Sequence, residues 1–255
     1  MTTRLVASGL SKSFSGTTVV DNVSFTVDAG QIVGLIGPNG AGKTTLFNLL
    51  SGVLKPDSGS LAVNGVDATS LPPYRLSRLG LVRTFQLARE LDKLTVLENV
   101  QLAARDNTGE TLAGALFRPG AARAAERATT TRAREVLALV SLSAHESKPA
   151  ATLSGGQKKL LELARCLMAE ADTILLDEIA AGVAPHLVEE IAVLIQRLNR
   201  DHGKTFVIIE HNVGFIRNLS SRVVVMASGK VLAEGSFDHV AADPAVVASY
   251  LGQAA

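Results

Sequence analysis

The sequence predicts an α/β fold, a parallel sheet covered by helices on both faces and interrupted by a helical insertion. Three observations carry this expectation. Short apolar strands alternate with helices towards both ends of the chain, the pattern of strands buried on both faces. The segment QIVGLIGPNGAGKTTLFNLLSG passes from a buried strand through a glycine-rich turn into a helix. Between residues 87 and 170 the texture becomes helical, rich in Ala, Arg, Glu and Leu.

Taken in order, Leu5–Leu10, Asn22–Asp28 and Gln31–Ile36 read as strands, enriched in β-branched residues and bounded by Gly, Asp or Ser. Lys43–Leu50 reads as a helix that stops near Gly52, and Leu61–Val63 and Leu79–Phe85 read as further strands. Val96–Arg105 is amphipathic, Ala121–Val140 is built of strong helix formers, and Pro119-Gly120 before it reads as an internal turn. Gly155–Ala169 repeats apolar residues at helical spacing through Leu160, Leu163, Ala164 and Leu167. Strands return at Thr173–Asp177, Thr205–Glu210, Arg222–Ala227 and Lys230–Glu234. The helix Pro185–Asp201 lies between the first two, with Leu187, Ile191, Leu194, Ile195 and Leu198 on one face and proline in its first turn.

Composition excludes several classes of protein. With 255 residues, 47% of them apolar, the chain can bury a large core and is not disordered. A net charge of +1, from 25 basic and 24 acidic residues, implies no bulk attraction to nucleic acid. The one cysteine, Cys166, excludes an intramolecular disulfide. No apolar run approaches the ~18–20 residues that cross a bilayer, and Met1-Thr-Thr-Arg opens no secretory signal, so a cytosolic chain is expected.

The run Gly37-Pro38-Asn39-Gly40-Ala41-Gly42-Lys43-Thr44 fits G-x-x-x-x-G-K-[ST], with Thr45 following in the helix. Glycines let successive backbone N–H groups point inward at phosphate oxygens, and the helix presents its positive end to them. Lys43 adds a point charge for the β- and γ-phosphates, and the Thr44 hydroxyl can hold Mg²⁺. The site also needs a carboxylate at the end of a neighbouring strand, and Thr173-Ile-Leu-Leu-Asp177-Glu178 supplies one. Asp177 is the expected second metal ligand, and Glu178 the group that polarises a water in line with the γ-phosphate. An Asp-Glu pair after a strand is on its own usually a solvated turn; beside a phosphate loop the catalytic reading is the better one.

Leu153-Ser154-Gly155-Gly156-Gln157 opens a helix, and alone would be a serine cap followed by glycines. In order with the phosphate loop and the Asp-Glu pair, it resembles the signature of ABC ATPases, and the resemblance covers nearly the whole chain. It implies a P-loop NTPase (RecA-like) core with an N-terminal antiparallel β subdomain and an inserted α-helical subdomain. The expected core is residues 1–86 and 171–255, and the helical subdomain, carrying the signature, 87–170. By the same resemblance Phe14 would stack on adenine, Gln86 would reach metal and water, and His211 would contact the γ-phosphate. It further implies that Ser154, Gly155, Gly156 and Gln157 of one subunit complete the ATP site of another, so that binding ATP and Mg²⁺ closes a dimer and hydrolysis reopens it.

The text around these motifs is similar to the Liv-type ATP-binding subunits of branched-chain amino acid importers. It includes Val82-Arg-Thr-Phe-Gln-Leu-Ala-Arg-Glu-Leu, Thr95-Val-Leu-Glu-Asn-Val, Leu163-Ala-Arg-Cys-Leu, Ile209-Glu-His-Asn-Val and Tyr250-Leu-Gly. The implied partners are a second ATPase subunit, the same or different, transmembrane permease subunits and, indirectly, a solute-binding protein, with the chain held at the cytoplasmic face of the membrane. ATPases of urea or amide uptake and of lipopolysaccharide export share much of this text, and stay open as alternatives. So do a soluble ABC ATPase acting on nucleic acid or ribosomes, which the balanced charge opposes, and a regulatory subunit with little turnover. The last is suggested by two departures: Ile179 stands where the family has Pro after the catalytic Glu, and Ala184 where it has Asp or Asn.

Other features read as structural. Arg118, Arg123, Arg127, Arg132 and Arg134 form a basic cluster near Glu126, a solvated helix face rather than a lipid-headgroup contact. His145, His186, His202 and His239 lack ligand spacing, so no transition-metal site is expected. Cys166 sits in an amphipathic helix as a packing residue.

Overall fold

A computed structural model describes residues 2–84, 92–105 and 119–251. Two compact units emerge: the first takes residues 1–83, 172–181 and 192–255, the second 84–171 and 182–191.

The first unit contains two sheets. One is four-stranded and antiparallel, in the order β2-β1-β4-β5, from β1 (Thr3–Phe14), β2 (Thr17–Asp28), β4 (Ser58–Val63) and β5 (Val66–Asp67). The other has six strands in the order β10-β9-β3-β8-β7-β6. These are β3 (Ile32–Ile36), β6 (Leu81–Arg83), β7 (Thr173–Asp177), β8 (Thr205–Ile209), β9 (Arg222–Ala227) and β10 (Lys230–Gly235). All of its pairings are parallel except β9 with β10 at the edge. Every residue of β3 and β8 is buried, as parallel strands covered on both faces require. One core joins the sheets: Leu5, Leu10 and Val27 of the antiparallel sheet pack with Leu35, Leu175, Val207 and Val224 of the parallel one. Leu46, Phe47 and Leu50 of α1 (Lys43–Leu50) complete it.

The sheet order corrects one expectation. The strand ending in Asp177 is not the neighbour of the strand entering the phosphate loop, because β8 lies between β3 and β7. The carboxylate is thus brought to the same sheet end from two strands away. The expected strand Leu79–Phe85 is also shorter, because Leu79 closes α2 (Pro73–Arg78) and Gly80, at φ 85°, turns the chain into β6.

In the second unit α3 (Val96–Gln101), α4 (Pro119–Leu139) and α5 (Gly155–Met168) pack pairwise over Val96, Val100, Ala133, Leu137, Leu161 and Leu163. Helix α3 ends at Gln101, short of the expected Arg105. Pro119-Gly120 is not a turn but opens α4: proline suits the first helical turn, where its missing N–H has no intrahelical partner to lose. The basic face of α4 acquires acidic partners from distant sequence, Arg132 meeting Glu170 at 3.3 Å and Arg134 meeting Glu146 at 3.0 Å, while Arg118 lies outside the described residues.

Helix α6 (Pro185–His202) belongs to the second unit up to Ile191 and to the first from Ala192. Three short helices, α7 (Val213–Leu219), α8 (Phe237–Ala241) and α9 (Pro244–Leu251), together with α2, fall below the length at which helical periodicity shows in a sequence. Among the described residues no helix is long and apolar enough to cross a membrane.

Candidate nucleotide site

The phosphate loop takes its shape from glycine. Gly37 and Gly42 sit at φ 150° and 94°, and a Cβ on them would come within 2.1 Å of the Met226 carbonyl oxygen and 2.5 Å of that of Val19. Only glycine fits both the dihedral and the contact. Gly42 is also the N-cap of α1 and supplies no side chain to the first helical N–H groups, which are therefore presented to an anion at the positive end of the helix.

Lys43 is buried, and its Nζ donates to the carbonyls of Gly37 at 2.7 Å and Pro38 at 2.9 Å. The ammonium is thus held against the loop. Burial lowers its pKa below the usual lysine value, and the nearby negative charge of Glu178 partly opposes that shift.

A cleft of about 270 Å³ opens over the loop, lined by Asn39, Gly40, Ala41, Gly42, Lys43, Thr44, Thr45, Glu178 and His211, with Val19 and Ile209. Residues far apart in sequence meet here because β7 and β8 end together: Asp177 pairs with Ile209, so Glu178 and Glu210 are the next residues of adjacent strands. His211 Nε2 lies 3.1 Å from Glu178 Oε1, and both side chains are about half exposed to the cleft. Glu178 adopts φ 50°, a left-handed backbone that strains a residue with a Cβ by roughly 1–3 kcal/mol. Its N–H donates to Ile209 O at 2.9 Å, and its carbonyl accepts from Ala181 N–H at 3.2 Å. Asn212 caps α7, its Oδ1 accepting from Phe215 N–H at 3.0 Å, and so anchors the chain just after His211.

Asp177 holds an ion pair. Its Oδ2 accepts from Arg83 Nη2 at 2.6 Å, while Arg83 Nη1 donates to Asn48 Oδ1 at 2.6 Å and the guanidinium lies 5.6 Å from the centre of the Phe47 ring. The Thr44 hydroxyl at the start of α1 and the Asp177 carboxylate are hard oxygen donors of the kind Mg²⁺ prefers, so the residues present fit that ion.

Phe14 is 43% exposed at the end of β1, with Lys12 Nζ 5.8 Å from its ring centre. Gln86 lies outside the described residues. Ser154, Gly155, Gly156 and Gln157 belong to the second unit and open α5 in a reciprocal cap, Gln157 N–H donating to Ser154 Oγ at 3.3 Å and Ser154 N–H to Gln157 Oε1 at 3.0 Å. A Cβ on Gly156 would come within 1.9 Å of Leu187. The signature is therefore also a helix start in which a side chain at the second glycine would require Leu187 to shift.

Three contributors were not legible in the motifs. Val19 and Ile209 are apolar strand residues that line the cleft only through the tertiary fold. The Tyr250 hydroxyl, from α9, lies near the backbone of Gly37, and its half-burial raises its pKa.

The chain matches the ABC transporter family over residues 20–181 and the branched-chain amino acid ATP-binding cassette transporter family over 230–255. It is 36% identical over 250 residues to the high-affinity branched-chain amino acid transport ATP-binding protein BraF of Pseudomonas aeruginosa, covering 98% of each chain. LivG of Escherichia coli, described in the same terms, is also 36% identical with 98% of each chain covered. A probable LivG of Archaeoglobus fulgidus is 38% identical, covering 97% of this chain and 95% of its own. Among solved structures, the ADP conformation of the ATP-binding cassette MJ1267 superposes with a TM-score of 0.86 at 36% identity, over 99% of this chain and 100% of that one. A dimeric post-hydrolysis state of the cassette MJ0796 with ADP and Pi gives 0.73 at 25% identity, over 91% and 98%. With this fold, this phosphate loop and relatives matched end to end, the chain belongs to the ABC transporter family of ATP-binding cassette ATPases.

Proposed function

We propose that this chain is the ATP-hydrolysing subunit of an importer for branched-chain amino acids, paired with a second ATPase subunit and docked on a transmembrane permease at the cytoplasmic face. The observation that carries the reading is the approach of Glu178 and His211 to 3.1 Å on the rim of the cleft lined by the phosphate loop. The solute assignment draws on BraF and LivG, whose names describe branched-chain amino acid transport, and on the match of the C-terminal segment 230–255.

In this reading the N–H groups of the loop and α1 hold the β- and γ-phosphate oxygens, and the ammonium of Lys43 neutralises their charge. The Thr44 hydroxyl and Asp177 would hold Mg²⁺, which when bound would supply positive charge to offset that of the phosphates. Arg83 keeps the Asp177 carboxylate at the end of β7. Glu178 accepts a proton from the attacking water, and His211 fixes the carboxylate and reaches the γ-phosphate. Ser154, Gly155 and Gly156 would present the hydroxyl and N–H donors at the start of α5 to the ATP held by a partner subunit. MJ0796, whose post-hydrolysis structure is dimeric with ADP and Pi bound, supports such a pairing.

The test is to isolate the chain with its membrane partners in mild detergent, reconstitute the complex in vesicles, and measure ATP-dependent uptake of leucine, isoleucine and valine against urea and short amides. Uptake of the branched-chain amino acids, abolished by Glu178→Gln, is the expected result. Uptake of urea or amides alone would overturn the solute assignment and leave the ATPase reading standing.

A further inference from the structure

Glu210 is a buried carboxylate beside the catalytic pair to which the reaction just described gives no part. It is 5% exposed, and its Oε1 accepts from Ala180 N–H at 2.6 Å, thirty residues away in sequence and two after Glu178. The backbone N–H groups of His211 and Asn212 lie close enough to act electrostatically on the same carboxyl group. Because Glu210 itself lies on the chain leaving β8 into His211, the bond from Ala180 ties that loop, at the proposed machinery, to the one leaving β7 after Glu178.

The loop after Glu178 needs such a tie. Glu178 is held at φ 50°, which relaxes unless its surroundings enforce it. Ile179, 1% exposed, packs its side chain inward but lacks the ring by which a proline would fix the next φ. A buried polar group persists where its hydrogen bonds are made, and the bond this carboxyl accepts comes from the backbone.

We propose that Glu210 is a positioning residue for ATP hydrolysis, fastening the backbone at Ala180 so that Glu178 is presented to the cleft in register with His211. It touches neither nucleotide nor water in this role. Burial raises the Glu210 pKa, with the negative charge of Glu178 adding to the shift and the backbone N–H groups of Ala180, His211 and Asn212 opposing it. Charged or neutral, the group keeps an oxygen acceptor for Ala180. The inference rests on the reading of Glu178 as the base.

The experiment compares Glu210→Ala, Glu210→Gln and Glu178→Gln in the full chain, by steady-state ATPase, affinity for a fluorescent ATP analogue, and amide hydrogen exchange at Ala180. Glu210→Ala removes the acceptor of the Ala180 N–H and frees the loop, so kcat is expected to fall about tenfold. KM and nucleotide affinity should stay within about twofold, and exchange at Ala180 should quicken while β7 and β8 stay protected. Glu210→Gln, which keeps a carbonyl oxygen in the same place, should restore both kcat and protection. Wild-type kcat in Glu210→Ala would overturn the proposal, as would a joint loss of turnover and nucleotide affinity that Gln fails to rescue. If Glu178→Gln is inactive while Glu210→Ala turns over at full rate, only this inference falls. If Glu178→Gln itself turns over normally, the assignment of the base falls and takes the inference with it.

Discussion

Arg83 and Asp177 form a nearly buried ion pair at 2.6 Å, linking β6 to the end of β7, with Asn48 of α1 on the other arm of the guanidinium. The arginine side chain is 9% exposed and the aspartate 24%. A charge held so far from water is stabilised by its partner and costly to leave alone. Arg83→Ala removes that partner and the plate resting on Phe47. The expected loss is about 2–3 kcal/mol, read from urea unfolding midpoints. An unchanged midpoint would show that solvent screens the pair.

Lys43→Ala should weaken ATP binding by about a hundredfold or more, since a charge-assisted contact to phosphate is lost from a partly desolvated site. Fluorescence titration with a labelled nucleotide checks this. Retained affinity would mean that the loop does not hold the triphosphate.

Glu178→Gln keeps the shape and hydrogen-bonding reach of the residue but removes its basicity. Turnover should drop by about two orders of magnitude or more with nucleotide binding intact. An ATP-bound dimer should then accumulate, visible by size-exclusion chromatography with light scattering. A monomer at saturating ATP and high protein concentration would argue against the paired site.

Ala184 stands just before α6, and its carbonyl accepts from the N–H groups of Leu187 at 2.9 Å and Val188 at 3.1 Å. This is the N-cap position, where Asp or Asn would bond a free N–H and Ala cannot. Ala184→Asp should stabilise the chain by about 1 kcal/mol, a rise of roughly 2–4 °C in Tm for a domain of this size. No rise in thermal melting would show that solvent already satisfies this helix end.

Cys166 is 2% exposed within α5, and burial pushes its thiol up to about 12, with Glu162 adding to the rise and Arg165 opposing it. A thiol pKa raised by folding contributes stability that is complete below the unfolded value of ~8.5 and lost as pH rises towards 12. At pH 8 the folded chain should resist a disulfide reagent such as DTNB, reacting fully only once unfolded in guanidinium. Rapid labelling of the native chain would show that α5 opens readily.

How much could be read in advance follows from where the information lies. The phosphate loop is consecutive, and its glycines, lysine and threonine state their chemistry within eight residues. The strands that later proved central, β3, β7 and β8, are continuous apolar runs, legible because both of their faces are buried. Pro119-Gly120 misled because the same residues open helices and make turns, and only the chain that follows decides between them. The acidic partners of Arg132 and Arg134 lie elsewhere in sequence, so the cluster looked more basic than it is.

By itself the sequence determined the fold class, the glycine-rich loop between strand and helix and the identity of the titratable groups at strand ends, because these depend on local pattern and residue chemistry. Tertiary structure alone decided that β8 runs between β3 and β7, that Glu178 meets His211 and that Arg83 grips Asp177. It also decided that Glu210 is turned inward onto the backbone at Ala180. Those relationships arise from the order and register of the parallel strands, which are settled between strands rather than within any one of them.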